Sequence, residues 1–106
     1  MMKLRVSGFD WDSGNLSKIQ KHGVSPEDIE EFFQQGSIYV TPDLKHSPQE
    51  ERYLAVGASS KGRPMVVVFT FRKKGGGYFI RPISARWMHE KEARKYEQES
   101  SKIQKR

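Results

Sequence analysis

Three arginines in the C-terminal half of the chain have the type and spacing that suit chemistry on a phosphate. Arg72 follows the apolar run "MVVVFTF", and Arg81 and Arg86 lie within "IRPISAR". Arginine stays charged at every physiological pH and presents a planar set of donors that matches phosphate oxygens. Several such cations can stabilise the extra negative charge of a five-coordinate phosphorus. The pattern therefore favours a phosphate ligand.

Cleavage of RNA would need little else: a base for the 2′-hydroxyl proton and an acid for the leaving 5′-oxygen. A predicted first helix places Asn15, Lys18 and His22 on one face, and histidine can titrate near neutral pH. Lys18 and His22 are candidates for these roles, although a lone histidine is more often structural. The histidines lack metal-ligand spacing and the chain has no cysteine, so we predict neither a metal site nor a cofactor.

The geometry of the arginines poses a difficulty, because Arg81 and Arg86 are five residues apart and would point to opposite faces of a regular strand. Pro82 cannot donate a ladder hydrogen bond and favours an edge or a bulge. A bulge would restore a common face; alternatively, Arg86 lies at the strand end, where its direction is freer. A structural alternative also exists, in which the arginines form buried salt bridges with nearby carboxylates: Asp10, Asp12 or Glu92.

The elements that must position these residues follow the predicted order β-α-α-β-β-β-β-α. Asp12 and Ser13 are suitable N-caps for the first helix, and Ser25-Pro26 is a strong start signal for the second. The second helix should bury an apolar stripe formed by Ile29, Phe32 and Phe33. The predicted strands are Leu4–Trp11, Ser37–Thr41, Arg52–Ala58, Met65–Phe71 and Tyr78–Arg86.

Short connections between the later strands predict an α+β fold with an antiparallel meander sheet of four to five strands. Two N-terminal helices and one C-terminal helix should cover one face and leave the other partly open, while the central strand 65–71 should be covered on both faces. The glycines at 75–77 should form a hairpin loop. We expect one domain, 1–96, followed by a polar tail, 97–106, that frays from Glu97.

The charge of the chain is unevenly distributed. Residues 1–60 contain six Lys/Arg and nine Asp/Glu, a net of −3, whereas residues 61–106 contain thirteen and four, a net of +9. This asymmetry suggests a polyanionic ligand, an acidic protein partner or both, although it could also be a solubilising surface. No apolar run approaches the ~20 residues of a membrane helix, and no signal peptide is evident. We therefore expect a cytoplasmic protein with no membrane partner.

Three segments resemble the BrnT-type toxins of type II toxin–antitoxin systems. They are "FDWDSGNLSKIQKHGVSPEDIEEFF", "GRPMVVVFTFR", and "IRPISAR" followed by "EKEARKYE". The resemblance implies a RelE-like fold and a ribonuclease toxin that blocks translation. It also implies a BrnA-like antitoxin with a ribbon-helix-helix part, so that DNA would be bound only through the toxin–antitoxin complex.

The same resemblance implies the site residues. Those expected to act on RNA are Lys18, His22, Arg72, Arg81 and Arg86; those expected to contact the substrate are Ser84, Glu92 and Tyr96. Two alternatives remain beside the enzyme. One is a basic nucleic-acid-binding domain without catalysis, or a degenerate toxin kept for regulation. The other is a plain interaction protein, which would explain the charge but not the placement of the arginines.

Overall fold

The computed structural model describes residues 6–35, 38–43, 50–59 and 61–104. The predicted order of elements is confirmed. Their bounds are β1 (Gly8–Phe9), α1 (Ser13–Gln20), α2 (Pro26–Gln35), β2 (Ile38–Pro42), β3 (Tyr53–Ala58), β4 (Pro64–Lys74), β5 (Gly77–Trp87) and α3 (Glu90–Gln104).

The five strands form one mixed sheet in the order β1-β5-β4-β3-β2. Strands β2 to β5 are the expected antiparallel meander. The expectation of a purely antiparallel sheet is wrong, because β1 pairs in parallel with β5 through Gly8↔Phe79 and Phe9↔Ile80. Helices α1 and α2 and three strands separate the two partners, and such a long connection permits a parallel pair. The described first strand has only two residues, whereas a longer one was expected.

The core lies between the sheet and the first two helices. Ile29 and Phe32 of α2 are fully buried against Val67 and Phe69 of β4, and Phe33 packs beside them, so the predicted apolar stripe is confirmed. On the opposite face of β4, Val66 and Val68 remain half-buried, whereas Thr70 is buried. The central strand is therefore fully covered on one face only, and the expectation that both faces are covered is wrong. The expectation that α3 joins the first two helices on the core face is also wrong, because Glu92 of α3 bonds to Arg86, which pairs with Val66 on the opposite face. We call this half-covered side the open face; it carries the residues of β4 that alternate with Val67 and Phe69.

The first two helices begin where the sequence predicts, because each has a side-chain cap. Asp12 accepts hydrogen bonds from the backbone N–H groups of Gly14 and Asn15 at the start of α1. At the start of α2, the Asp28 carboxylate accepts from the Ser25 N–H at 3.0 Å, and the Ser25 hydroxyl accepts from the Asp28 N–H at 3.1 Å. Lys61 lies 3.0 Å from Asp28 and joins the β3–β4 turn to this cap.

Helix α3 is longer than expected. It continues to Gln104, so the expectation that regular structure ends near Glu97 is wrong. Whether residues 97–106 act as a tail outside the domain stays a prediction. The strand starts predicted at Leu4 and Ser37 lie outside the described residues. Within the described part of the chain, no helix is long and apolar enough to cross a membrane.

Candidate functional site

A β-bulge on β5 brings Arg81 and Arg86 to one face of the sheet. Arg81 pairs with Thr70 and Arg86 with Val66, but the register shifts between Val68 and Phe69. Because Val68 pairs with Ser84 and Phe69 with Pro82, Ile83 is an extra residue on β5. Paired residues of an antiparallel ladder point to the same side. Of the two alternatives considered for the arginines, the bulge beside Pro82 is therefore the one that the structure shows.

Arg72 lies on the same open face. It pairs with Phe79, and β4 runs without an extra residue from Val66 to Arg72. At ~3.4 Å per residue, Arg72 and Arg81 are separated by about 7 Å along the strands and Arg81 and Arg86 by about 14 Å. We call these three side chains the arginine row. With about 20 Å between its ends, the row is more extended than a cluster that converges on one phosphate.

Each arginine of the row forms an ion pair with carboxylates of the same chain. Arg72 lies 2.9 Å from Glu50. Arg81 lies 3.3 Å from Asp10 and 2.9 Å from Asp12. Arg86 donates two parallel hydrogen bonds to Glu92, at 2.8 and 2.9 Å. The salt bridges considered as the structural alternative are thus present, and Glu50 is an additional partner.

These pairs remain partly open to solvent. The side chains of Arg72 and Arg86 are 39% and 42% exposed, and those of Glu50 and Glu92 are 33% and 40% exposed. Arg81 is more enclosed, with 19% of its side chain exposed. Ion pairs with this exposure contribute only ~0–1 kcal/mol each. An anionic ligand can therefore compete for the row, most readily at its two ends.

The Arg86–Glu92 pair also begins helix α3. The Glu92 carboxylate accepts a hydrogen bond from the backbone N–H of His89 at 3.0 Å. The hydrogen bond from Arg86, followed by that from His89, lowers the pKa of Glu92 to about 2. The same pair raises the pKa of Arg86. One carboxylate therefore holds both the last cation of the row and the first turn of the helix.

Asp10 and Asp12 form the other end of this charge network. Asp10 lies 2.7 Å from Lys74, and this hydrogen bond, together with the charges of Lys74 and Arg81, lowers the pKa of Asp10. The pKa of Asp12 is lowered first by the N–H of Asn15 and then by Arg81. Both groups are therefore ionised at neutral pH and are poor candidates for a general base.

Lys18 and His22 lie on the helix side of β5. Helix α1 runs beside β5: Asn15 near its start bonds to Pro82, and Gly23 just after its end accepts a hydrogen bond from the Trp87 indole at 3.2 Å. Lys18 is exposed within α1, and His22 is exposed in the turn that follows, beyond the helical face predicted for it. Among the described residues, β1 flanks β5 only as far as Ile80, so this stretch of β5 is a sheet edge.

Two of the remaining candidates, Ser84 and Glu92, lie at the Arg86 end of the row. Ser84 pairs with Val68 on the open face and is half-buried. Tyr96 is half-buried on α3. Glu92 already holds Arg86, and a carboxylate would repel a phosphate. No group of three or more His, Cys, Asp or Glu side chains that could hold a metal is found in the part of the chain that the structure describes.

One residue of this site was missed from the sequence, and another was placed in the wrong environment. Glu50 ends a polar loop, and nothing local indicates that it meets Arg72. Asn15 was grouped with Lys18 and His22, yet it is buried, with 4% of its surface exposed. A signal existed for Asn15, because it precedes Ile19 by four residues and therefore lies on the buried stripe of α1.

These features define the class of protein: a small α+β domain with a mixed sheet and a row of cations on the half-covered face of that sheet. The model of the family described as "Ribonuclease toxin, BrnT, of type II toxin-antitoxin system" matches residues 11–92. The chain belongs to this family. A comparison with curated proteins finds no match.

Proposed function

We propose that this chain is the toxin of a type II toxin–antitoxin module and acts as an endoribonuclease without a metal ion. The observation that carries the proposal is the arginine row on the half-covered face of a chain that belongs to a family of ribonuclease toxins. The row supplies the positive charge that would otherwise require a metal. Cleavage of messenger RNA in the cytoplasm would inhibit translation.

The extended row favours contact with successive phosphates of an RNA strand. With about 20 Å between Arg72 and Arg86, the three cations hold neighbouring phosphates more easily than a single one. The strand would lie along β4 and β5, with the scissile phosphate near Arg81 or Arg86. Because β5 is a sheet edge beside α1, Lys18 or His22 would act around this edge on the 2′-hydroxyl or the leaving oxygen. Ser84 and Tyr96 would contact the same strand.

Expression of the chain alone in a bacterial host tests this function. We expect growth to stop and purified protein to cleave single-stranded RNA in the presence of EDTA. Arg72→Ala or Arg86→Ala should relieve the arrest and slow cleavage roughly a hundredfold, because each removes one cation from a charged transition state. Arg94→Ala is the matched control, since Arg94 is exposed and pairs only with Glu90 of its own helix among the contacts described.

A second function is favoured by a specific observation: every arginine of the row is already paired within the chain. A domain that binds nucleic acid without cleaving it, or a degenerate toxin with a regulatory role, would keep these pairs as part of its fold. Harmlessness of the wild-type chain at full expression, with RNA binding intact, would select this alternative. Equal toxicity of the wild type and both arginine variants would remove the row from the mechanism.

We propose that the partner is a BrnA-like antitoxin with a ribbon-helix-helix part, which binds DNA as a complex with this chain. It would neutralise the toxin by presenting acidic and apolar groups to the open face. The test is a titration of antitoxin into a complex of labelled RNA with the His22→Ala variant. Full displacement of the RNA supports a shared surface. A stable complex of all three would contradict it.

A further inference from the structure

The buried side chain of Asn15 forms three hydrogen bonds close to the arginine row. Its Nδ2 donates to the carbonyl oxygens of Asp10 at 2.9 Å and Pro82 at 2.8 Å. Its Oδ1 accepts from the backbone N–H of Asp12 at 2.8 Å. Both ends of the amide are therefore satisfied, and the side chain joins the β1–α1 connection to β5.

The bond to Pro82 continues the ladder along the outer edge of β5. The carbonyl groups of Tyr78 and Ile80 accept from the backbone N–H groups of Ser7 and Asp10, at 2.7 and 2.8 Å. Beyond this point the chain turns away into α1, and the next carbonyl on the same edge is that of Pro82. The Asn15 amide takes the place of the missing strand there.

Pro82 is the residue at which β5 departs from its regular register. It pairs with Phe69, and Ile83 is the extra residue that follows. A bulge lies where the pairing between two strands skips one residue. A shift of the strand register by one residue would turn every following side chain to the other face. Asn15 fixes the carbonyl at this position from outside the sheet, with a buried bond that water cannot replace.

We infer that Asn15 is a positioning residue: it fixes the bulge at Pro82 and thereby keeps Arg81 and Arg86 on one face for RNA. The inference rests on the proposed function for its effect on RNA, but its effect on strand register can be measured independently. Asn15 lies on the helix side of β5, touches no substrate in this role and acts through the strand.

The test compares Asn15→Leu, similar in size but without hydrogen bonds, with Asn15→Asp, which keeps the acceptor for Asp12 and loses both donated bonds. Ile19→Val is the control, because Ile19 is fully buried on the same helix and has no polar side-chain atoms. The first measurement is the cross-strand nuclear Overhauser contacts Val68–Ser84 and Val66–Arg86. We expect both Asn15 variants to lose or shift these contacts and the control to keep them.

The second measurement is a double-mutant cycle on cleavage of single-stranded RNA. Arg86→Ala should slow the wild type roughly a hundredfold. In the Asn15→Leu background, Arg86→Ala should slow cleavage by less than about a further tenfold, because Arg86 is already misplaced. In the Ile19→Val background, the effects of the two substitutions should multiply.

The inference would be overturned if both Asn15 variants kept the native cross-strand contacts and if their effects on the cleavage rate multiplied with that of Arg86→Ala. Failure of both variants to fold would also overturn it, since Asn15 would then stabilise the whole domain rather than the bulge. If the wild type neither binds nor cleaves RNA, the proposed function fails, and the cross-strand contacts alone still decide the role of Asn15.

Discussion

Glu92 has two roles that act against each other at the level of a single side chain. Its carboxylate occupies the donor pair with which Arg86 would hold a phosphate, and it caps the first turn of α3. A phosphate that binds Arg86 must therefore displace Glu92. Displacing Glu92 costs little free energy, because the side chains of Arg86 and Glu92 are both partly exposed.

Replacing Glu92→Gln should therefore strengthen RNA binding. The neutral amide can still accept from His89 but no longer competes as an anion for Arg86. In the His22→Ala background, we expect the affinity for single-stranded RNA to rise about two- to fivefold, the equivalent of one exposed ion pair. Fluorescence anisotropy at fixed salt measures this change. The matched control is Glu90→Gln, which makes the same charge change two residues earlier, at a carboxylate that pairs with Arg94. Weaker binding in Glu92→Gln alone would instead mean that Glu92 holds Arg86 in its binding geometry.

At the scale of the elements, the caps and the alternation of the strands were predictable from sequence because both are local. Asp12 and the Ser25-Pro26 pair mark helix starts through bonds that span three residues. The bulge was foreseeable only as one of two alternatives, since Pro82 and the five-residue spacing of the two arginines left open both a bulge and a freer direction of Arg86 at the strand end. The parallel pairing of Gly8 with Phe79 was not, because a two-residue strand leaves no periodic pattern and its partner lies far along the chain.

The cap of α2 gives a test at this scale. Asp28→Ala removes the acceptor for the Ser25 N–H and the partner of Lys61, and we expect it to lower the free energy of unfolding by about 1–2 kcal/mol. Urea denaturation followed by circular dichroism measures the loss. Glu27→Ala in the same first turn is the control, since Glu27 is exposed and should change stability far less. Equal losses in the two variants would show that helix-dipole charge, not the cap, dominates.

For the whole molecule, the charges that are segregated along the chain pair with one another in the fold. Carboxylates of the acidic first sixty residues pair with cations of the basic remainder, as in Asp28–Lys61, Glu50–Arg72 and Asp10–Lys74. Part of the +9 charge of residues 61–106 is therefore neutralised internally. Net charge alone therefore overstates the positive charge that is available to a polyanionic partner. The arginine row supports an RNA ligand more strongly than the net charge does.

This network predicts how stability depends on pH. Five carboxylates have a lowered pKa in the folded protein, Glu92 most strongly, from 4.5 to about 2: Asp10, Asp12, Asp28, Glu50 and Glu92. For Asp28, burial opposes the shift, and the hydrogen bonds from Ser25 and Lys61 outweigh it. Because each folded pKa lies below its unfolded value, the stabilisation is complete above about pH 5 and is lost as the pH falls toward about 2.

Thermal unfolding across this range measures the effect. We expect a melting temperature that is nearly constant from about pH 7 to pH 5 and then falls steeply. The variant Glu50→Gln should flatten part of the fall, since it removes one of the titrating groups, whereas Glu97→Gln, which has no described partner bond, should not. A melting temperature that stays constant down to about pH 3 would contradict the ion-pair network.

The bulge at Ile83 also sets a counting rule for the two arginines that flank it. In an uninterrupted strand only an even separation places two side chains on one face; here a separation of five, which is odd, does so because one residue is not counted by the ladder. Parity and the extra residue must therefore change together. Deleting Ile83 would shorten the separation to four, so that a regular strand would keep Arg81 and Arg86 on one face with no bulge for Asn15 to fix, whereas closing the bulge without a deletion would turn Arg86 to the core face.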